Sequence, residues 1–148
     1  MRAQWCFLGV TISAVATLAA ACAGSVVPGG PSAVTAGSYD QLVAALRAKS
    51  VAVEDVGAVT QPFFEPEGRV VRLEGQDVQV FEFATEEDAS SASETIAPDG
   101  GSVGTSMVTW ISAPHFYHSG KLIVLYVGEG ESVLAALQDV LGPQIAGR

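Results

Sequence analysis

His115 and His118 are the two histidines of the chain, and imidazole is the side chain best suited to general acid or base chemistry near neutral pH. Pro114 disfavours a helix here, and on an extended chain a spacing of three residues turns the two rings to opposite sides. Zinc needs three or four ligands, and neither a cysteine nor a nearby carboxylate completes a set, so we expect no metal site.

Two glycine-containing stretches stand where nucleotide-binding loops are sought. Residues 128–131 (GEGE) lie between a predicted strand and a predicted helix, but Val133 occupies the third glycine position and the glutamates would repel a pyrophosphate. Residues 100–106 lack the phosphate-binding lysine and do not follow a strand. We expect a strand-to-helix turn, a surface loop and no cofactor.

Nucleophilic catalysis requires an activated nucleophile beside an oriented base. No serine lies in a G-x-S-x-G elbow, and the sixteen carboxylates are scattered with no pattern that selects a catalytic pair. A histidine brought next to a carboxylate by folding would still permit hydrolysis. We therefore predict no catalytic residues, with a hydrolase as the alternative interpretation.

Bulky rings cluster on two short connections that contain prolines. Connections normally run over the surface, so these rings either fold back onto the core or form an exposed patch, and exposed patches mark binding surfaces. The hypothesis is a recognition rim. Its members are Phe63, Phe64, Trp110, His115, Phe116 and Tyr117.

The charge balance excludes one class of partner. The 148 residues include seven basic and sixteen acidic side chains, a formal net charge of −9. Such a surface repels phosphate backbones and anionic lipid alike. We expect no nucleic-acid binding and no electrostatic hold on a membrane.

The first residues have the marks of an export signal. Arg2 is the only charge before Asp40, and an apolar run covers residues 5–21 with small residues at its end. A charged start, an apolar stretch and a small-residue cut site predict a cleaved signal peptide over residues 1–21. A permanent transmembrane helix, the rival interpretation, needs about 20 predominantly apolar residues, and this run is slightly shorter and rich in alanine.

The end of this segment, Ala19-Ala20-Ala21-Cys22, resembles the lipobox of bacterial lipoproteins, with Leu18 one residue earlier than the usual leucine. The resemblance implies lipid on Cys22 and anchoring to the cell membrane or the outer membrane. The other cysteine, Cys6, would leave with the signal, so no disulfide forms in the mature chain. Plain secretion with a free thiol is the alternative.

Composition divides the remaining chain into a tether and a domain. Residues 22–37 carry no charge and are rich in glycine and proline, which is typical of a flexible spacer. Residues 38–148 form one domain, long enough to bury a core. It opens with a helix after Ser38, whose S-x-x-Q pattern predicts a capping box.

Hydrophobic periodicity then predicts the other elements of the domain. They are a strand over 51–59, a hairpin over 69–83, a helix capped by Thr85, a strand over 107–112, a turn over 116–121, a strand over 122–127 and a helix over 131–141. A shift of forty-four residues aligns the second strand of each strand pair and the helix that follows it. We predict an α+β two-layer sandwich with an antiparallel sheet of about five strands, in which duplicated β-β-α units are one interpretation.

These features predict a cell-envelope lipoprotein tethered to a membrane. Its domain would act as a non-catalytic binding or accessory module for an envelope protein or a small ligand. The alternative is a small envelope hydrolase that pairs a histidine with a carboxylate.

Overall fold

The computed structural model describes residues 35–148. The predicted signal peptide, Cys22 and the tether before residue 35 lie outside the described residues. In the part of the chain that is described, no helix is long and apolar enough to cross a membrane.

The described chain contains three helices and eight strands. The helices are α1 (Tyr39–Ala48), α2 (Glu86–Glu94) and α3 (Glu131–Leu141). The strands are β1 (Val53–Val59), β2 (Gly68–Leu73), β3 (Gln76–Glu82), β4 (Ser102–Val103), β5 (Ser106–Met107), β6 (Pro114–Ser119), β7 (Leu122–Val127) and β8 (Ala146–Gly147). Strands β4 and β5 form a small hairpin, and the other six form one antiparallel sheet in the order β1-β2-β3-β7-β6-β8.

Two tight turns fix the register of the sheet. Between β2 and β3, Glu74 and Gly75 both have positive φ, at 50° and 80°. Positive φ at both central positions is the type I′ geometry, whose twist matches that of a hairpin. Between β6 and β7 the turn is Gly120-Lys121, with Gly120 at φ 55°. The pairing of β3 with β7 then joins the two hairpins at the centre of the sheet.

Side-chain alternation along the central strands creates two separate cores. Helices α1 and α3 cover one face of the sheet, and α2 with the segments around it covers the other. Buried residues of the first core include Leu42, Leu46, Val80, Tyr117, Val124, Tyr126 and Leu137. Buried residues of the second include Phe64, Phe81, Ala89, Ile96, Phe116, Ile123 and Leu125.

The α+β class with an antiparallel sheet and packed helices is confirmed. The sheet has six strands, because the short β8 adds to the outer side of β6. The sequence predicts two layers, the sheet and the helices on it. Helices lie on both faces of the sheet, so α2 forms a third layer opposite α1 and α3.

The order strand-strand-helix occurs twice, as β2-β3-α2 and β6-β7-α3. A symmetric duplication across the antiparallel neighbours β3 and β7 needs a two-fold axis perpendicular to the sheet, which keeps both helices on one face. Helices α2 and α3 lie on opposite faces. The two units therefore share an order of elements and not a packing.

Two segments between α2 and β7 differ from the prediction. Residues 107–112 are not a strand, since β5 ends at Met107 and the chain then runs irregularly to Ala113. Residues 114–119, predicted in part as a turn, are strand β6, and only Gly120 and Lys121 form the turn. The glycine-rich stretch before them contains the β4–β5 hairpin.

The start of the domain also differs in detail. Ala36, predicted to belong to the tether, is buried, and its amide donates to the Val140 carbonyl at 3.0 Å. Ser38 makes no capping hydrogen bond; the Gln41 side chain instead accepts from the Gly37 amide at 2.9 Å. Packing against α3 and the β6–β7 turn draws these residues into the folded unit.

Candidate functional site

A cleft of about 810 Å³ lies at the end of the sheet where β6 begins and β7 ends. The loop before β6, the turn before α3 and the last residue of the chain surround it. The residues on which its chemistry depends are Asp99, Trp110, His115, Glu129, Glu131, Leu134 and Arg148. This volume is within the range of about 300–1,000 Å³ that is usual for small-ligand sites.

His115 is the polar side chain at the floor of the cleft, and it is 5% exposed. Its Nδ1 lies 2.8 Å from Gln144 Oε1, and its Nε2 lies 2.9 Å from the Gly128 carbonyl oxygen. The Gln144 amide nitrogen donates to the Ala146 carbonyl at 2.9 Å, which orients its oxygen toward the ring. His115 therefore ties β6 to both the turn after β7 and the last strand.

The turn after β7 packs tightly on the Tyr126 ring, which stacks on His115 with centroids 5.9 Å apart. The Gly130 amide donates to the Tyr126 hydroxyl at 2.9 Å, and that hydroxyl donates to the Gln76 side chain. A Cβ on Gly130 would lie 2.8 Å from the hydroxyl oxygen, and one on Gly128 would overlap it. Both glycines are required because backbone meets ring here.

Three carboxylates and one guanidinium border the cleft. Asp99 accepts from the Gly101 amide at 2.9 Å, while Glu129, Glu131 and Arg148 are exposed. None of these four charged side chains takes part in an ion pair among residues 35–148. The cleft therefore presents an excess of negative charge.

Trp110 forms the aromatic wall of the cleft. Its ring nitrogen donates to the Gly100 carbonyl at 2.6 Å, and its ring meets Phe116 edge-on, with centroids 5.9 Å apart. On either side of it in the chain, Met107 is 92% exposed and Ile111 is 100% exposed. We call residues 106–112 the apolar loop.

The structure divides the predicted recognition rim between the two faces of the sheet: Phe64, Phe63, Trp110 and Phe116 form one chain of ring contacts, and Tyr117 lies in the other core. His115, Phe116, Tyr117 and Phe64 are buried, and Phe63 and Trp110 are partly buried. One exposed rim of all six is therefore not formed, because β6 sends its residues alternately into the two cores. The alternative, in which rings fold back onto the core, describes the four buried residues.

Trp110 and His115 both line the cleft, and the Trp110 ring also meets Phe116 and Phe63 edge-on, with centroids 5.9 and 6.3 Å apart. Phe63 and Phe64 line a second cavity of about 480 Å³ beside α2. Tyr117 packs in the first core, where burial raises the pKa of its phenol.

Neither histidine hydrogen bonds to a carboxylate among the described residues. Both ring nitrogens of His115 face oxygen atoms of amide groups, and His118 Nε2 lies 3.2 Å from the Gly120 carbonyl. As the sequence predicts, the two rings point to opposite faces, since Phe116 and Tyr117 between them lie in different cores. Within residues 35–148, no three metal-binding side chains come together.

Several residues of the site were not singled out from the sequence. Asp99, Glu129 and Arg148 are far apart in the chain and carry no shared pattern. The sequence does contain a signal for the apolar loop, because residues 100–114 have no charged side chain although the chain has twenty-three charged side chains. The prediction of a strand over residues 107–112 took no account of this signal.

The chain enters the domain at the opposite end of the sheet from the cleft. The Lys121 amide, at the β6–β7 turn, donates to the Gly37 carbonyl at 3.0 Å. Strand β6 has six residues, and at about 3.3 Å per residue its two ends are about 17 Å apart.

Comparison of the chain with protein-family models, curated proteins and solved structures finds no match in any of the three.

Proposed function

We propose that the protein is a cell-envelope lipoprotein, anchored to a membrane by lipid on Cys22, whose domain binds a ligand in the cleft without chemical turnover. Binding rather than catalysis is favoured because both nitrogens of His115 are engaged with amide oxygens. General base catalysis needs a free nitrogen within reach of the substrate.

The anchor rests on the signal-like residues 1–21 and the lipobox-like residues that end at Cys22. The acidic surface excludes an electrostatic attachment: sixteen acidic side chains are repelled by anionic lipid, so a protein kept at a membrane would be held there by its lipid. One acyl chain binds a membrane only marginally, so stable anchoring requires more than one.

The binding proposal is based on the position of the cleft. It lies about 17 Å along β6 from the end of the sheet at which Gly37 packs. A tether attached at one end would leave the cleft at the other end accessible to a partner.

Native mass spectrometry of the full-length protein, purified from membranes of a bacterial host, tests both parts. We expect the mass of residues 22–148 plus acyl chains, and the acyl chains should be absent from Cys22→Ser. An uncleaved mass, or a cleaved chain without lipid, would contradict the anchor.

The same spectra test the cleft. We expect a co-purified ligand to be lost from Trp110→Ala and kept by Val56→Ser, a matched change at an exposed position on β1. Release of a chemically altered ligand on incubation would contradict binding without turnover. A ligand that stays bound to Trp110→Ala would move the site elsewhere.

A further inference from the structure

We propose that the cleft and the apolar loop together dock an extended, basic polypeptide segment that carries bulky aliphatic side chains. This inference rests on the proposed function, since it names the partner of the same cleft. The apolar loop supplies the aliphatic contacts, and the carboxylates of the cleft supply the charged ones.

Ile111 and Met107 are fully or almost fully exposed, at 100% and 92%. The other exposed large apolar side chains of the described chain, Val56 and Ile145, are 45% and 42% exposed. Burial of apolar surface is favourable, so a surface that holds two such side chains beside a cavity fits an apolar partner. Trp110 connects them to the cleft.

Charge complementarity decides the sign of the partner's charge. The described residues hold sixteen acidic and six basic side chains, because Arg2 is the only charge before residue 35. Ion pairs join three of the six basic side chains to four of the carboxylates, which leaves twelve acidic and three basic side chains outside these pairs. The resulting negative potential attracts a basic partner and repels an acidic one.

The cleft itself fits a cationic side chain. Glu129 and Glu131 have no ion-pair partner among residues 35–148, and with Asp99 they outnumber the one guanidinium at the cleft, Arg148. The partly buried Trp110 ring lines the same cavity. An aromatic face attracts lysine and arginine, and arginine most often. A single chain that alternates basic and aliphatic residues would place one kind in the cleft and the other on the apolar loop.

A bilayer is the competing occupant for exposed isoleucine and methionine. The observations favour a polypeptide, because carboxylates border the loop and the loop lies at the end of the sheet away from Gly37. Negative charge beside an apolar loop opposes contact with anionic lipid.

Trp110 reports occupancy directly, since the chain has two tryptophans and the other is Trp5. We would titrate the purified Trp5→Phe protein, in which Trp110 is the single tryptophan whether or not residues 1–21 are cleaved, with three synthetic peptides in which leucine alternates with lysine, serine or glutamate. Vesicles of zwitterionic lipid, with and without anionic lipid, complete the set. We expect saturable change of Trp110 emission with the lysine peptide, and weaker or no change with the others.

Matched variants locate the binding. Changing Glu129 and Glu131 to Gln should weaken the lysine peptide by about tenfold, the effect of about 1.4 kcal/mol. The same change at Glu86 and Glu87, in the first turn of α2, should have less than about a twofold effect because long-range attraction is screened by salt. Ile111→Ser should weaken binding, whereas Val56→Ser should not.

Four outcomes would overturn the proposal. Equal weakening by both glutamate pairs would show general attraction to an acidic surface. Equal binding of the serine or glutamate peptide in the cleft would leave the proposed function standing and remove the basic partner. Vesicle binding that depends on Ile111 would make the partner a membrane. No response to any peptide would exclude a docked segment, and a co-purified ligand lost from Trp110→Ala would then still support the proposed function.

Discussion

Replacing His115 and Gln144, singly and together, tests the hydrogen bonds that close the floor of the cleft. His115→Phe keeps a ring to stack on Tyr126 but removes the bonds to Gly128 and Gln144. Gln144→Met keeps the side-chain length and removes the bonds to His115 and Ala146. One bond is common to both changes.

The structure therefore predicts that the stability losses of the two single variants do not add up in the double variant. Each single variant loses two polar contacts, and the double variant loses three instead of four. A neutral imidazole has one N–H, so the two His115 contacts count as one donated hydrogen bond. At about 1 kcal/mol per hydrogen bond, we expect losses of about 1–2 kcal/mol for each single variant and a loss for the double variant about 1 kcal/mol smaller than their sum. Gly128 and Gln144 are only partly buried, so water reaches the freed groups and limits the penalty.

Urea unfolding of the full-length protein, followed by circular dichroism, measures these losses. With a slope of about 1–3 kcal/mol per molar urea, a single variant should unfold at a midpoint lower by roughly 1 M. His118→Phe is the control on the same strand: its hydrogen bond is longer, at 3.2 Å, and it should cost less than about 1 kcal/mol. Losses at His115 and Gln144 that add within about 0.3 kcal/mol would refute a direct bond between them.

Three further predictions concern packing and ionisation. Phe116→Ala should lose about 3–5 kcal/mol of unfolding free energy because its ring is fully buried. Ile111→Ala should change the unfolding free energy by less than about 0.5 kcal/mol, because its side chain is fully exposed. Similar losses for the two variants in urea unfolding would contradict the placement of these side chains. Gly130→Ala should lose about 1–3 kcal/mol because its Cβ would lie 2.8 Å from both the Gln76 amide nitrogen and the Tyr126 hydroxyl oxygen. Gly37→Ala should be near neutral in the same assay, since the nearest atom its Cβ would meet among the described residues is Gln41 Oε1 at 3.6 Å. Burial raises the pKa of the Tyr117 phenol, so the stability that comes from its neutral form is present below about pH 10 and is lost as pH rises through the raised pKa. Above about pH 10 the wild type should therefore lose stability relative to Tyr117→Phe. A difference in unfolding free energy between the two proteins that does not change with pH would contradict this.

Local sequence pattern was enough to predict the elements whose contacts join residues close together in the chain. The β2–β3 hairpin follows from two alternating runs around Glu74 and Gly75, and the structure has those residues at positive φ. Thr85 caps α2 as predicted, accepting from the Asp88 amide at 3.1 Å. The apolar run of β7 predicts a central strand covered on both faces, and it lies between β3 and β6.

The segment around Trp110 was predicted wrongly because its residues have a strand-like composition. A strand needs a partner strand, and beyond the two residues of β5 this segment pairs with no strand within residues 35–148. The Trp110 ring instead packs on Phe116, a contact that depends on the position of β6. Pro114, which disfavours a helix, begins β6, where a missing amide hydrogen is tolerated.

The sequence by itself determined the class of the domain, the β2–β3 hairpin, the three helices and the acidic character, because these depend on periodicity, turn residues and composition. Only the tertiary structure decided which side chains share the cleft. Asp99, Trp110, His115, Glu129 and Arg148 come from five separate places in the chain, and the pairing of β6 with β7 and β8 brings them together. The same pairing decided that His115 is a buried hydrogen-bonded residue and that Ile111 is exposed, since burial depends on contacts between residues distant in sequence.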